Sequence, residues 1–537
     1  MFSKDEVYKY SLFIFLTVFA YIWNIWVNDI WIPNEAFYAE AVREMFENQN
    51  FLDIYYNYEP RFNKPPLTYW LIAISGAIFG LTEFAVRLPI VLLGLGTLIL
   101  TYLIGKELFD KKVGLFSVFV LAFALQFVPN TRYASPEVPL MFFFTLTLYL
   151  FLIGYKRQSF KYILGSYIAL GLAVLTKGFP YLIVIGLIVL GFILVDVRFN
   201  PSQVLKKVLF LRLWIGLPIV FVIGFWWYVY SYLKFGDAFW SVYYQETFGR
   251  AFEKEGKPFL SIENLTYYFV VILWAFLPYS LAFYYAFIKK IKEFKQNGYS
   301  FLYVWIGVIL LIFTVAKGKL PPYILQAYPA MAILTAVCLL RYTPKGFEKL
   351  ISALALVVPT LLFALATGAL TYLLHLDYLY YIFAMAGIAY IIRWKDLTLA
   401  PFMAAVAFFL MFVISVLPHI EKYRPYDRIG LAIKEHVIPK KYPLIIERKF
   451  FHNLPFYAER KVLRDYTLQQ ILNYPKPRLA LIYKKDLKYF KEAQVLWQGK
   501  LYDWGSESQF AKFLKAVIYA ENGDYRGFKD WVLIFQR

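Results

Sequence analysis

Apolar runs close to twenty residues long recur through the first 417 positions, separated by short connections rich in Lys and Arg. An α-helix of about 20 residues is what a ~30 Å hydrocarbon core requires. Fourteen candidate runs stand out, among them 10 to 31, 67 to 82, 113 to 128, 207 to 232, 264 to 288 and 377 to 393. Apolar and aromatic residues make up 60% of the 537 positions and charged residues 17%, against about a quarter in ordinary soluble domains. A soluble globule and a disordered chain are both excluded on that balance. The net charge of +20 does not point to nucleic acid, because the basic residues sit between apolar runs instead of forming a patch. A single cysteine, Cys338, excludes a disulfide framework and a Cys-rich metal site. The run 10 to 31 exceeds a signal-peptide core and is read as a retained first span.

The run 67 to 82 is short, holds Gly76 and Gly80, and lies directly against the next run. Reading it as a juxtamembrane helix puts six basic connections on the cytoplasmic side, as the positive-inside rule requires; they include Lys106 with Lys111 and Lys112, Lys156 with Arg157, and Arg393 with Lys395. The expected architecture is then an α-helical polytopic membrane protein with about thirteen transmembrane helices plus juxtamembrane helices. Residues 1–419 form the membrane domain and residues 420–537 a small α/β domain on the outer side. Within the tail, β-type runs are expected at 444–447, 461–464, 479–483 and 531–535, with helices near 426–437, 467–473 and 508–520. No internal repeat is visible, which weighs against a transporter built from paired halves.

Four outer segments concentrate polar groups. In 31–45, Pro33 suits a first helical turn, Asn34 suits a cap, and Glu35, Tyr38 and Glu40 follow; a capped amphipathic interfacial helix explains the same residues. In 61–70, Lys64 precedes Pro65 and Pro66, which hold it at a fixed height; a snorkelling lysine is the alternative. In 132–137, Glu137 opens a span, where a helix N-terminus favours acidic residues anyway. The fourth group joins Lys177-Gly178, residues 244–250, and Lys317 to Tyr323 on the same face. Several cations around one cavity are costly without an anion, and lipid phosphate is the natural one. No phosphate-binding loop, dinucleotide glycine pattern or zinc-protease motif is present, so a soluble nucleotide is not the expected donor.

Taken in order, Asn34-Glu35 with Tyr38-Ala39-Glu40, Lys64-Pro-Pro-Leu with Tyr69-Trp70, Arg87-Leu-Pro, Glu137, Lys177-Gly178, Glu246 with Arg250, and Lys319-Leu-Pro with Tyr323 resemble the GT-C membrane glycosyltransferases. Within the protein O-mannosyltransferase superfamily the pattern is most similar to the lipid A aminoarabinose transferase branch. The resemblance implies transfer of a sugar from an undecaprenyl-phosphate carrier to an acceptor such as lipid A, with inversion, at the periplasmic face of a bacterial inner membrane. By the same resemblance Asn34, Glu35 and Glu137 line the reaction centre. Lys64, Tyr69, Lys177, Glu246, Arg250, Lys319 and Tyr323 contact donor or acceptor. No nucleic acid partner is expected, no cofactor is demanded, and a divalent metal stays open. Protein O-glycosylation, or a non-catalytic lipid-binding or transport role, are the alternatives.

The sequence departs from the family pattern where Asn34 replaces an Asp, Asn63 a Glu, and Thr247 a His. An amide is no general base, and loss of carboxylates and an imidazole weakens the case for a metal. Three readings follow: a disabled variant, a base role for Glu35 or Glu137, or an acceptor that needs no base. A phosphate oxygen is already anionic at neutral pH, whereas a Ser or Thr hydroxyl must lose a proton, so the reading leans to a lipid acceptor.

Overall fold

A computed structural model describes residues 4–253, 261–296, 298–377 and 397–537, without the side chains of residues 4, 5 and 250–253. The chain begins with α1 (Lys4–Ile22), α2 (Asn34–Glu47), a hairpin of β1 (Tyr55–Tyr56) and β2 (Glu59–Pro60), and α3 (Leu67–Phe79). Six helices follow: α4 (Glu83–Leu108), α5 (Lys111–Ala122), α6 (Phe127–Thr131), α7 (Glu137–Lys156), α8 (Phe160–Lys177) and α9 (Pro180–Asp196). Their ends are locally encoded. Thr82 caps α4 by accepting from Ala85 N, and Asp110 caps α5 by accepting from Val113 N. A Cβ on Gly105 would stand 2.8 Å from Gly114 Cα, so α4 and α5 meet backbone to backbone.

Arg87, near the start of α4, donates to the carbonyls of Ile25 and Asn28 just beyond the end of α1. Helices α1 and α4 therefore run in opposite directions, and the segment between them returns without crossing. Helix α3 has 13 residues, ~20 Å at 1.5 Å per residue, too short for a ~30 Å core. The start of α7 and the end of α8 lie at this same end, joined through Glu137 and Lys177. At the opposite end Lys156 and Arg157 both reach Glu107, and Arg341 pairs with Asp110.

Among the described residues, six helices are long and apolar enough to span a membrane, or seven if the bent pair Pro201–Phe210 and Leu213–Gly224 counts as one. Four shorter apolar helices, including α3 and α9, accompany them. Several expected runs are divided. Run 113–128 becomes α5 and α6, run 264–288 breaks between Ala275 and Ser280 around Pro278, and run 10–31 is helical only to Ile22. Proline removes an N–H donor and crowds the preceding turn, which accounts for the break at Pro278. The run 377–393, with Arg393 and Lys395, lies outside the described residues apart from Asp377.

The tail carries a five-stranded mixed sheet in the order β4-β3-β5-β7-β6. Its strands are β3 (Leu444–Glu447), β4 (Val462–Tyr466), β5 (Arg478–Tyr483), β6 (Gln494–Tyr502) and β7 (Phe528–Gln536). Alternation along β5 and β7 packs Leu479, Leu481, Trp531 and Leu533 into one core and Ala480, Ile482, Val532 and Ile534 into another. Arg424 joins the sheet region to the helices. Fully buried, it pairs with Glu421 and Glu507, donates to the carbonyls of Asp29 and Ile30, and lies 3.7 Å from the Trp31 ring centroid.

Candidate functional site

Helix α2 begins at Asn34 with Pro33 before it, and Asn34 does not act as a side-chain cap. The Glu35 N–H donates instead to the Tyr133 hydroxyl at 3.2 Å. Although polar in composition, α2 is largely buried, including Glu35, Glu40, Arg43 and Glu44. It is not a surface helix lying at an interface. Burial lifts the Glu40 carboxyl to about 8, even though Arg43 donates to both of its oxygens.

The side chain of Glu35 accepts four hydrogen bonds: from Arg87 Nε at 2.9 Å and Nη2 at 2.7 Å, from Trp31 N at 2.9 Å, and from Ala134 N at 2.9 Å. It has no solvent access. A carboxylate satisfied on both oxygens has no lone pair to offer an acceptor proton, so the geometry gives Glu35 a positioning role in place of the catalytic one expected of it.

Asn34 is exposed and faces a cavity of about 430 Å3. Its polar side includes Asn28, Arg87, Arg132 and Tyr133, and its apolar side Phe409, Phe412 and Val413. Arg132 donates to the carbonyls of Ala20, Tyr21 and Trp23 at the end of α1, where a cation suits the helix dipole.

Glu137, Lys177 and Tyr323 come together. Lys177 Nζ lies 2.5 Å from Glu137 Oε2, 4.9 Å from the Tyr323 ring centroid and 5.8 Å from that of Tyr181. Both charges sit where helix dipoles favour them, the acid opening α7 and the cation closing α8. Their side chains are only 13% and 8% exposed, so the pair is held within protein. Tyr181 and Tyr268 belong to this aromatic wall and carry no motif; the spacing of four from Lys177 to Tyr181 on either side of Gly178 was the available signal. Tyr69 is fully buried and stacks on Tyr38 at 4.4 Å, which makes it a support for Tyr38 instead of the ligand contact expected. Burial, Tyr69 and Glu137 together keep the Tyr38 phenol protonated.

Lys64 pairs with Glu246 at 3.0 Å, bridging the start of α3 to the segment Gln245–Glu253. The Arg250 side chain lies outside the described residues. Lys319 donates to the carbonyls of Thr314 at 2.6 Å and Ala316 at 2.5 Å, closing the helix Tyr299–Val315, and is turned to backbone where a phosphate contact was expected. Among the described residues no three His, Cys, Asp or Glu side chains are grouped to hold a metal ion. Glu137 and Glu246 each face a lysine.

Residues 63–227 match the family described as dolichyl-phosphate-mannose-protein mannosyltransferase. An Aquifex aeolicus protein described as uncharacterized is 34% identical over 509 residues, covering 94% of this chain and 96% of that one. The undecaprenyl phosphate-alpha-4-amino-4-deoxy-L-arabinose arabinosyl transferase of Wigglesworthia glossinidia brevipalpis is 27% identical, over 65% of this chain and 62% of that protein's length. The fold matches that of ArnT from Cupriavidus metallidurans bound to undecaprenyl phosphate, with a TM-score of 0.75 and 18% identity over 98% of this chain and 97% of that one. The chain belongs to the GT-C membrane glycosyltransferases of the protein O-mannosyltransferase superfamily, in the aminoarabinose transferase branch.

Proposed function

We propose that this polyprenyl-phosphate-sugar-dependent glycosyltransferase moves a sugar from undecaprenyl phosphate to a phosphate of a lipid acceptor such as lipid A. The reaction takes place on the periplasmic face of the bacterial inner membrane, and the α/β domain of residues 420–537 lies on that side of the membrane domain of residues 1–419. The observation that carries the reading is the state of two lysines. Lys64 and Lys177, 113 positions apart, are both partly buried, and each is ion-paired to a carboxylate, Glu246 and Glu137 respectively. An incoming phosphate can take the place of such a carboxylate, exchanging one counter-ion for another with more acceptor oxygens. The carrier's identity is supported by the named relatives and by the ligand of the matching fold.

An acceptor phosphate oxygen attacks the anomeric carbon from the face opposite the carrier. The bond from that carbon to the carrier phosphate oxygen breaks, the configuration inverts, and undecaprenyl phosphate leaves with the electron pair. Lys64 and Lys177 stabilise the charge gained by the leaving phosphate, and no proton has to be removed. That suits a site with Asn34 in place of an acid and with Glu35 occupied by Arg87. The test is mass spectrometry of lipid A from a host that expresses this chain together with its carrier pathway. One added sugar mass is expected, lost with Lys177→Ala. Unmodified lipid A, with the protein in the membrane and charged carrier present, would overturn the proposal.

A further inference from the structure

A second cavity, of about 440 Å3, lies between the β1–β2 hairpin and the tail sheet, away from the ion pairs described above. The contact that forms it is specific. Asn57, at the hairpin turn with φ of 56°, donates to the Val462 carbonyl at 3.0 Å and accepts from Val462 N at 2.7 Å, which locks the hairpin to strand β4. Tyr56 donates its hydroxyl to the His452 carbonyl at 2.9 Å. The aromatic walls are Phe37, Tyr56 and Phe450, with His452 5.2 Å from the Phe37 ring and 4.8 Å from that of Phe450.

Charge in this cavity is one-sided. Arg61, Lys461 and Arg464 line it, against the single acid Glu59, which pairs with Lys461 at 3.4 Å. Among the described residues the buried Nε of Arg61 has no hydrogen-bond partner, and its guanidinium carbon lies 3.9 Å from the Phe37 ring centroid. Arg464 is 5.7 Å from the Phe450 ring centroid and has the exposed Asp465 at 3.9 Å. Two guanidinium groups beside aromatic faces suit a sugar ring that bears a phosphate: the rings take the apolar face of the sugar and the forks take the phosphate oxygens. The volume falls in the ~300–1,000 Å3 range of small-molecule sites.

We propose that this cavity binds a phosphorylated sugar, the headgroup of the acceptor lipid, and that presenting it is the role of the tail. The assignment rests on the lipid-acceptor reading above. Its position fits that role. Phe37 and Asn63 line the cavity, while the next residues, Tyr38 and Lys64, belong to the candidate site. The cavity and the candidate site thus share the two segments that carry Phe37-Tyr38 and Asn63-Lys64. His452 stays uncharged there, since burial, with Arg464 and Arg61 nearby, pushes its imidazole down to about 4.

The test titrates the purified full-length protein, in phosphatidylcholine nanodiscs, with glucosamine 1-phosphate. Saturable binding is expected, weakened at least tenfold by Arg464→Ala and by Arg61→Gln and less by Arg464→Lys, while undecaprenyl phosphate binding stays within twofold. Arg464 is exposed, so its replacement leaves the fold intact. No saturable binding by the parent, or equal affinity of Arg464→Ala, would overturn the site. Nanodiscs containing bisphosphorylated lipid A should compete with glucosamine 1-phosphate. If only the free sugar phosphate or inorganic phosphate binds, the acceptor assignment falls. Sugar transfer to lipid A without glucosamine 1-phosphate binding would sink the cavity and leave the reaction standing; binding without transfer would do the reverse.

Discussion

Glu35 and Arg87, 52 positions apart, form a two-pronged ion pair at 2.9 and 2.7 Å that is sealed from solvent. The remaining Arg87 donors go to the carbonyls of Ile25, Asn28 and Asp29, so one guanidinium sets the end of α1, the start of α2 and the start of α4. This is a device for geometry, because the desolvation of two charges offsets much of their attraction. Breaking it from one side leaves the other charge buried. Glu35→Gln should therefore cost about 3–5 kcal/mol and lower the thermal unfolding midpoint, with activity falling in step with folded protein. A Glu35→Gln protein of full stability and no turnover would restore Glu35 to the chemistry.

The Glu137–Lys177 pair should respond differently. If Glu137 is a resting counter-ion, Glu137→Gln frees the lysine and leaves undecaprenyl phosphate binding as tight or tighter. Lys177→Ala removes a charge-assisted contact worth about 1.5–3 kcal/mol, so binding should weaken by roughly ten- to a hundredfold. Equal weakening in both variants, measured by titration of the purified protein, would make the pair purely structural.

What the sequence disclosed follows physical lines. The antiparallel course of α1 and α4 around a short α3 was legible because a one-crossing error reverses the side of every basic connection. Strands β3, β5 and β7 were legible as apolar runs in the tail core. Strand β6 was not, since Gln494–Tyr502 is an edge strand bonded to β7 alone, mostly half-buried or exposed and mixed in composition. Helix α2 looked like an interfacial helix because its buried charges, Glu35 and Glu40, have partners that no spacing rule reveals as buried. Lys64 with Glu246 and Glu137 with Lys177 were singled out as residues, but their pairing depends on helix ends brought together by the fold. The tail cavity was invisible for the same reason, as hairpin and β4 are 405 positions apart at the Asn57–Val462 contact.

Sidedness can be read directly. The native Cys338 is buried, so engineered cysteines report with little background. Glu59, Lys485 and Lys292 are all exposed. A membrane-impermeant maleimide added to spheroplasts should label cysteines at Glu59 and Lys485 and spare one at Lys292. Labelling at Lys292 alone would invert the topology.

The hairpin–tail contact should be sensitive to acid. His452 is held at about 4, below its ordinary value of 6.5, so between these values the unfolded chain binds more protons than the folded one. Stability therefore rises with pH across that window and falls as pH drops from about 6.5 to about 4, by up to ~3 kcal/mol. Unfolding midpoints at pH 7 and pH 5 should differ for the parent and less for His452→Gln. An identical drop in both would assign the acid sensitivity to other groups.

Asn34 gives the sharpest separation between acceptor classes. Its side chain opens onto the cavity that Arg87 and Arg132 also line, and it occupies the first turn of α2, where a carboxylate gains about 0.3–1 kcal/mol from the helix dipole. Asn34→Asp should therefore fold at least as well as the parent, and any change in turnover belongs to the chemistry. With a phosphate acceptor there is no proton to remove, and a new carboxylate repels the incoming anion, so transfer should be unchanged or slower and the apparent acceptor affinity lower. With a hydroxyl acceptor the new group would act as a general base, typically worth about 10²- to 10⁴-fold, with a rate that falls as the carboxylate protonates. Transfer by both proteins at several pH values decides between the two, and a gain of a hundredfold or more in Asn34→Asp would replace the lipid phosphate with a hydroxyl-bearing acceptor.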